Sequence, residues 1–277
     1  MLWKIPGLYI FVSWVYDRLK PKGLQKIVTL SGTLVVDPDD LVIAKRYILG
    51  DQHEGKEKAF VAKLLRPGDV FIDVGANIGD YTLLAAKSVG EDGSVYCFEP
   101  SKGTYKCLQA MIEENHLSNV RPFPLGLGRR KERLTLYLDK TNYGNNSLSR
   151  EAAVALGGAV RESYDIDIDT LDSIWLRHGI KGRHPRLLKI DVQGAEAEVL
   201  AGAAGILENL SCDVLFELQP SSLVAFGCDP LAMLQEIAAQ GRILFRLDGS
   251  NPIKEPPEQI LSYAERHGYV DVFASAR

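Results

Sequence analysis

Residues 70–86, VFIDVGANIGDYTLLAA, decide the fold of this chain. An apolar run at residues 70–74 is followed by Gly75 and Gly79, after which apolar residues return at helical spacing. This order predicts a strand, a glycine-containing turn and a helix. Glycines let a backbone approach a ligand closely, and the first turn of a helix has amide N–H groups without intrahelical partners. The stretch is therefore predicted to be a ligand-binding turn.

The overall composition restricts the class of protein. Of the 277 residues, 46% are hydrophobic and 25% are charged, as in an ordinary globular protein. The net charge of -4 and the lack of a long Lys and Arg run argue against a nucleic-acid partner. The four cysteines show no C-x-x-C spacing, so neither a zinc site nor a disulfide framework is predicted. A reducing, cytoplasmic setting is expected.

Strand and helix patterns alternate along the chain beyond residue 70. Such alternation predicts an α/β fold with a Rossmann-like, mainly parallel sheet and helices on both faces. We predict strands at residues 70–74, 94–98, 120–124, 187–192, 214–218 and 243–247, and a last, antiparallel strand at 270–276. The predicted helices are residues 57–65, 78–89, 102–115, 195–201 and 230–240.

The chain is predicted to divide near residue 50. Residues 1–50 would form an N-terminal extension, and residues 51–277 the main domain. Two short strands are expected in the extension, within TLSGTLVVD (29–37) and LVIAKRYIL (41–49), joined by a turn at Pro38.

The first 20 residues are apolar and rich in Trp and Tyr, but Pro6 and Gly7 interrupt them too early for a confident membrane span. Two interpretations remain open. Residues 1–20 form either an apolar helix packed on the domain or on a second subunit, or a peripheral membrane anchor with aromatic side chains at the interface. A homo-oligomer contact or membrane association is expected accordingly. The aromatic residues concerned are Trp3, Tyr9, Trp14 and Tyr16.

Residues 133–168 interrupt the alternation of strands and helices. RLTLYLD (133–139) and RESYDIDID (161–169) resemble additional strands, and the polar residues 141–159 between them form a long loop. Loops of this length in a compact domain are usually functional. This insertion is expected to fold over the carboxyl edge of the sheet, where Asn145 and Asn146 would bind a substrate; turn formation explains the two asparagines equally well.

Four carboxylates occur at the ends of predicted strands, namely Asp73, Glu99, Asp191 and Glu217. In open α/β sheets, ligands bind beyond the carboxyl ends of the strands. Glu99 follows Gly79 by 20 residues, a distance at which an acidic residue binds the hydroxyls of a ribose. A nucleoside cofactor is therefore predicted. The alternative for Glu99 is an acidic residue that stabilises the N-terminus of the following helix.

The residues of the turn discriminate between nucleoside cofactors. A dinucleotide motif requires G-x-G-x-x-G, but Asn77 occupies the position of the second glycine and Asp80 adds negative charge. No phosphate-binding G-x-x-x-x-G-K-[ST] motif occurs in the chain. A ligand with an amino-acid tail and a positive centre fits better, with Asp73 and nearby backbone groups in contact with the tail.

Taken together, these motifs resemble the FkbM-type S-adenosylmethionine-dependent methyltransferases. The resemblance extends over residues 54–218 and implies a class I methyltransferase sheet, S-adenosylmethionine as cofactor, and O-methylation of a saccharide or small metabolite. The motifs that carry it are DVGANIGDYTLLAA, FEP, TLD (170–172), LLKIDVQGAEAEVLAGA and LFELQP.

The resemblance also implies residue roles. The methionine side of the cofactor would lie on a loop formed by Asp73, Gly75, Ala76, Asn77 and Gly79. Glu99 would bind the ribose, and Gly126 and Leu127 would contact the adenine. The sequence GLGRR (126–130) departs from the family pattern because it lacks a polar contact for the adenine, and the apolar N-terminus departs from it as well.

Methyl transfer to oxygen requires alignment of the acceptor and removal of its proton. Asp191 is the first catalytic candidate because it ends the fourth strand, beside the expected position of the methyl group; capping of the next helix is the alternative. Glu217 would share the proton or a divalent metal with Asp191, or only support Asp191. No third ligand for a metal is identified, so no metal site is assigned. His53 and Glu54 reach the cofactor edge or cap the helix after them.

Two further functions remain open at this stage. One is a nicotinamide-dependent oxidoreductase, which Asn77 argues against. The other is a non-catalytic nucleoside-binding module of a membrane-associated assembly, which the apolar N-terminus suggests.

Overall fold

The computed structural model of the protein describes residues 6–49, 56–155, 159–179, 183–209 and 211–276. The strands are β1 (Gln25–Val28), β2 (Thr33–Val36), β3 (Val70–Val74), β4 (Ser94–Phe98), β5 (Val120–Phe123), β6 (Gly126–Leu127), β7 (Glu132–Asp139), β8 (Val160–Asp169), β9 (Leu187–Ile190), β10 (Asp213–Leu218), β11 (Ile243–Asp248), β12 (Asn251–Lys254) and β13 (Val270–Ser275).

The helices alternate with these strands over most of the chain. They are α1 (Pro6–Leu19), α2 (Ile43–Ile48), α3 (Lys56–Leu64), α4 (Asp80–Val89), α5 (Lys102–Glu114), α6 (Arg150–Ala155), α7 (Leu171–His178), α8 (Glu196–Ala201), α9 (Ala204–Leu207), α10 (Pro220–Ala225), α11 (Pro230–Ala239) and α12 (Pro257–His267).

Within the described residues, eight strands form one sheet in the order β12-β11-β13-β10-β9-β3-β4-β5. Strands β10, β9, β3, β4 and β5 are parallel, whereas β13 runs antiparallel between β10 and β11. The predicted α/β fold with its antiparallel last strand is confirmed. The carboxyl ends of β4, β3, β9 and β10 are neighbours in this sheet. The four carboxylates predicted at strand ends therefore lie along one edge.

The central strand β3 shows why the sheet is covered on both faces. All five of its residues are buried. Successive side chains of a strand point to opposite faces, and Ile72 and Phe71 accordingly belong to two different hydrophobic clusters. The cluster of Phe71 includes Leu83 of α4, and the cluster of Ile72 includes Val199 of α8. A strand buried on both faces needs a continuous apolar run, which residues 70–74 provide.

The β1-β2 hairpin packs against the main domain. Leu34 and Val36 are fully buried in the same cluster as Phe71. The side chain of Asn115, which follows α5, accepts a hydrogen bond from the Thr33 amide at 2.9 Å and donates to the Thr33 carbonyl oxygen at 2.6 Å. The extension therefore contributes to the core of the main domain, and a domain boundary near residue 50 stays a prediction.

The expected strand in residues 41–49 is wrong, because this segment contains helix α2. The side chain of Asp40 accepts hydrogen bonds from the amides of Val42 and Ile43, at 2.9 and 3.0 Å, and this turn precedes the helix. Both short strands lie earlier, and they are joined by a turn at residues 29–32, not at Pro38. Local hydrogen bonding of an Asp side chain at a helix start explains the difference.

Helix α1 lies at the start of the described chain. Tyr16 is buried, and its hydroxyl donates a hydrogen bond to the Pro38 carbonyl oxygen at 3.1 Å, whereas Trp14 is 52% exposed. Among the described residues, no helix has the length and apolarity needed to cross a membrane. Trp3 and the side chain of Tyr9 lie outside the described part of the chain. A membrane or oligomer contact through residues 1–20 stays a prediction.

The insertion contains the two expected additional strands. β7 and β8 pair antiparallel, and β6 pairs parallel to β8, so that these three form a second sheet. Gly126 and Leu127 belong to this second sheet because they form β6.

Candidate functional site

A cavity of about 620 Å³ opens at the carboxyl edge of the large sheet. Loops that follow β3, β4, β9 and β10 line it, together with β6, the inserted loop and parts of α2 and α3. Its position agrees with the general location of ligand sites in open α/β sheets, and its volume is typical of small-molecule sites.

The glycine turn forms one wall of this cavity. Gly75, Ala76 and Asn77 line it, and the amides of Gly75 and Ala76 donate to the Phe98 carbonyl oxygen at 3.0 and 2.9 Å. Gly75 has a φ of +79°, and a Cβ there would overlap the carbonyl oxygen of Asp191. Only glycine therefore fits at this position.

Gly79 does not line the cavity. It has a φ of +89° at the start of α4, and a Cβ there would overlap the side chain of Met111 on α5. Its role in the fold is thus to bring α4 close to α5.

Asp73 also lies outside the cavity. It is fully buried, its Oδ2 accepts a hydrogen bond from the Thr82 hydroxyl at 2.7 Å, and its Oδ1 lies 3.6 Å from the Nζ of Lys189. Burial raises the pKa of Asp73, and both neighbours oppose that shift. The carboxylate therefore connects β3 to Thr82 of α4 and to Lys189 of β9, and the structure does not bring it to the cavity wall.

Glu99 lines the cavity and connects two walls of it. Its Oε2 accepts a hydrogen bond from the Asn77 amide at 2.9 Å. Its Oε1 accepts from the Ser101 amide and the Thr104 hydroxyl, each at 2.8 Å. Burial raises the pKa of Glu99, although these hydrogen bonds favour the ionised form. The carboxylate is thus held in place at the end of β4.

Gly126 and Leu127 line the same cavity next to Glu99. A Cβ at Gly126 would lie 2.6 Å from the Cδ1 of Ile168, so a larger side chain would separate β6 from β8. The structure therefore brings the predicted adenine contacts and the predicted ribose contact into one space.

Three side chains after β9 and on β10 form a connected group. The Gln193 amide donates to the Asp191 Oδ1 at 2.9 Å and approaches the Glu217 Oε1 at 3.5 Å. All three side chains line the cavity. Gln193 has a φ of +55°, a strained conformation for a residue other than glycine, and such strain is frequent at functional sites. The two predicted catalytic carboxylates are thus connected through Gln193.

Burial and neighbouring charges shift the pKa values of the ionisable side chains around Asp191. Burial raises the pKa of Glu217 well above its usual value, and the nearby carboxylates of Asp191, Asp271 and Glu196 raise it further. Burial alone would lower the pKa of Lys189, but Asp191 and Asp73 raise it above its usual value. Lys189 therefore stays charged, with its Nζ 3.6 Å from the Asp191 Oδ2.

The inserted loop forms the roof of the cavity, with residues 142–148 along the lining. Asn145 Oδ1 accepts a hydrogen bond from the Asn142 side chain at 2.9 Å, and Asn146 Oδ1 accepts from the Asp139 amide at 3.0 Å. Both asparagines therefore contribute to the turn and also line the cavity. The Ser147 hydroxyl donates to the Gln193 carbonyl oxygen at 2.9 Å, which connects the inserted loop to the turn after β9.

Sequence reasoning missed several residues of the site. Lys189 and Gln193 lie inside the motif LLKIDVQGAE, where a lysine within an otherwise apolar strand was the available signal. Tyr47 and Lys58 lie in the N-terminal extension and in α3, and no sequence pattern associates them with the glycine turn. His53 and Glu54, which were considered for the cofactor edge, lie outside the described residues.

The acidic, histidine and cysteine side chains were compared with the arrangements that hold metal ions. Among the described residues, no three His, Cys, Asp or Glu side chains are arranged to hold a metal ion. The described cysteines are all unpaired thiols.

Comparison with protein families gives one match over most of the chain. The model of the "Methyltransferase FkbM domain" matches residues 73–270. This range contains every site residue named above except those of α2 and α3.

Curated relatives and solved structures carry related names. "Methyltransferase 1" of Beauveria bassiana is 29% identical over 164 residues, which are 55% of this chain and 66% of that protein. "Methyltransferase sdnD" of Sordaria araneosa is 29% identical over 161 residues, 49% of this chain and 61% of that protein. The chain thus spans slightly less than two thirds of these relatives. A crystal structure of methyltransferase FkbM from Methylobacillus flagellatus is 14% identical, with a TM-score of 0.44, and covers 78% of this chain and 50% of that one.

Proposed function

The chain belongs to the FkbM methyltransferase family, and on that premise we propose that it transfers a methyl group from S-adenosylmethionine to a hydroxyl oxygen of a saccharide or small metabolite. The family uses S-adenosylmethionine, so the cofactor predicted from the sequence is confirmed. The observation that carries the proposal is the shared cavity, which is lined by the glycine turn, by Glu99 and by the Asp191 group.

The residues that line the cavity fit this cofactor. Glu99 offers carboxylate oxygens for ribose hydroxyls, and Leu127 and Phe98 offer apolar surface for an adenine. The Oδ1 of Asn77 is buried and has no hydrogen-bond partner among the described residues, although Asn77 lines the cavity. A buried acceptor without a partner is costly, and an N–H group of a ligand would satisfy it.

When bound, S-adenosylmethionine supplies a methyl group on a positively charged sulfur. The residues of this chain then have two tasks, which are to orient an acceptor hydroxyl and to take its proton. The side chain of Asp191 is 36% exposed toward the cavity, so an acceptor can reach it. In this proposal the hydroxyl proton moves to the Asp191 carboxylate, which the Gln193 amide and the Lys189 ammonium hold in place.

Glu217 has a different task in this proposal. Its raised pKa favours the protonated form, and a protonated carboxyl group donates a hydrogen bond. Glu217 would then orient the acceptor and leave proton removal to Asp191. No metal is part of the proposal.

The inserted loop supports a polar acceptor. Residues 142–148 place the side chains of Asn145, Asn146 and Ser147 along the cavity, and amides and hydroxyls of this kind form hydrogen bonds with hydroxylated ligands. The acceptor would lie between this loop and Asp191. The nicotinamide-dependent oxidoreductase is not proposed, because the matching family is one of methyltransferases.

Titration calorimetry with S-adenosylhomocysteine, the product form of the cofactor, tests the cofactor half of the proposal. We expect the wild type to bind and Glu99→Ala to bind at least tenfold more weakly, or about 1.4 kcal/mol. Glu113→Ala removes an exposed carboxylate on α5 and is the matched control. Lack of binding by the wild type, or equal binding by wild type and Glu99→Ala, would contradict the proposal.

The transfer itself is tested with S-adenosylmethionine and a panel of hydroxylated acceptors. Formation of S-adenosylhomocysteine with a methylated oxygen is the expected result. A protein that binds the cofactor and transfers no methyl group to any acceptor of a broad panel would instead support the non-catalytic nucleoside-binding module.

A further inference from the structure

Segments that precede the family domain complete one wall of the cavity. The match to the family begins at residue 73, yet Ile43 and Tyr47 of α2 and Lys58 of α3 line the same space as the glycine turn. A contribution from these segments is therefore a property of this chain that the family match does not contain.

Lys58 forms a partly buried ion pair at the end of the glycine turn. Its Nζ lies 2.6 Å from the Oδ2 of Asp80, the first residue of α4, and the Tyr47 hydroxyl donates to the same oxygen. The side chains of Lys58 and Asp80 are 11% and 25% exposed, and both residues line the cavity. The Asp80 Oδ1 has no hydrogen-bond partner among the described residues.

The other basic residues that line the cavity have contacts of their own. Of the described residues that line it, Arg46, Lys58 and Lys189 are basic. Lys189 is paired with Asp73 and Asp191 and lies over the ring of Tyr81, and Arg46 has a contact of its own. The ammonium group of Lys58 has three donor hydrogens. Among the described residues, Asp80 alone accepts a hydrogen bond from it. Its remaining donors can therefore serve a ligand.

The backbone next to this pair also favours an anion. Helix α4 has ten residues, and Gly79 at its start provides no side chain to cap the first amide groups. Amide N–H groups at such a helix start, next to the ammonium of Lys58, are suited to a carboxylate. The carboxylate of Asp80 is suited to an ammonium group. One positive and one negative group thus lie side by side at the end of the turn.

We propose that Lys58 and Asp80 form the subsite for the amino-acid end of the methyl donor. The donor's carboxylate would meet Lys58 and the first amides of α4, and its ammonium group would meet Asp80, which Tyr47 and Lys58 hold in position. This inference rests on the proposed function, because it assigns the tail of the cofactor proposed there. It also gives α2 and α3 a role in binding.

Two ligands separate this role from a purely structural ion pair. S-adenosylhomocysteine has the amino-acid end, whereas 5′-deoxy-5′-methylthioadenosine has the same nucleoside without it. A residue that contacts the tail changes the affinity for the first ligand alone. A residue that only connects α3 to α4 changes both affinities or neither.

The experiment is titration calorimetry of the full chain with both ligands. For Lys58→Met we expect S-adenosylhomocysteine to bind at least tenfold more weakly, while the affinity for 5′-deoxy-5′-methylthioadenosine stays within twofold of wild type. Lys63→Met removes an exposed ammonium from the same helix and should change neither affinity. Lys58→Gln replaces Lys58→Met if thermal unfolding shows that the latter does not fold.

Equal affinities of wild type and Lys58→Met for S-adenosylhomocysteine would overturn the subsite, as would an equal loss for both ligands. The failure of the proposed function has a different signature, because the wild type itself would then bind neither ligand.

Discussion

The carboxylate of Glu196 is 2% exposed and accepts hydrogen bonds from the amides of Val192 and Gly194 at 3.1 and 3.1–3.2 Å. These bonds fix the turn that carries Gln193. Burial nevertheless raises the pKa of Glu196 to about 7, from 4.5, and Asp191 adds to the shift. A residue that shapes the site therefore also makes the stability of the fold depend on pH.

The direction of this dependence follows from the two pKa values. The folded state binds the proton of Glu196 more tightly than the unfolded state, so its stabilising contribution is fully present below pH 4.5 and is lost as the pH rises through about 7. For Glu196→Gln we expect this loss to disappear. The free energy of unfolding of the variant, relative to wild type, should rise by roughly 2 to 3 kcal/mol between pH 5 and pH 8.

Urea denaturation at several pH values measures this difference. Glu198→Gln is the control, because Glu198 lies on the same helix and is paired with Arg129 at the surface. If the curves of wild type and Glu196→Gln against pH run parallel, the account of Glu196 is wrong.

Gly75 illustrates how a glycine that is predicted from a ligand contact can be required by a contact within the protein. The sequence assigns this glycine to a close approach between the backbone and a ligand. In the structure the group that excludes a side chain is the carbonyl oxygen of Asp191, a part of the protein itself. The turn after β3 and the end of β9 are thus fitted to each other before any ligand binds.

At the scale of elements, the roof of the cavity depends on its contact with the turn after β9. The Ser147 hydroxyl donates to the Gln193 carbonyl oxygen, while the Ser147 backbone pairs with Tyr137 of β7. The inserted loop is therefore connected both to its own sheet and to the catalytic candidates.

For Ser147→Ala we expect faster hydrogen exchange in residues 142–148. The variant loses one partly buried hydrogen bond, worth about 1 kcal/mol, which corresponds to roughly fivefold less protection of the loop. Exchange measured by mass spectrometry, with Ser221→Ala of α10 as the control, reports it. Unchanged protection of the loop would show that the Ser147 hydroxyl does not hold the roof.

Element types were predictable where the apolar run was nearly continuous. The five residues of β3 form a strand as expected, because both faces of the sheet require apolar side chains there. Residues 43–48 form a helix, since the contacts of Asp40 with two following amides outweigh the weak strand pattern of so short a segment. A six-residue segment in which apolar and basic residues are mixed does not carry enough periodicity to show whether it is a helix or a strand.

At the scale of the whole molecule, the order of strands brings together what the sequence separates. The position of Glu99, Asp191 and Glu217 at the cavity was predictable, because each lies at or directly after the end of a strand of the parallel sheet. Lys58 and Tyr47 were not predictable, since the packing of α2 and α3 against the glycine turn depends on tertiary contacts. The burial of Leu34 and Val36 in the core of the main domain was not predictable either, because it depends on tertiary contacts that leave no local sequence pattern.

The most direct test of the central claim is a crystal structure of the protein with S-adenosylhomocysteine. The account predicts that the ligand lies in the cavity at the carboxyl edge, with its ribose hydroxyls on Glu99, its adenine against Leu127 and its amino-acid end at Lys58 and Asp80. A ligand bound elsewhere on the molecule, or bound in the cavity without contact to Glu99, would contradict it.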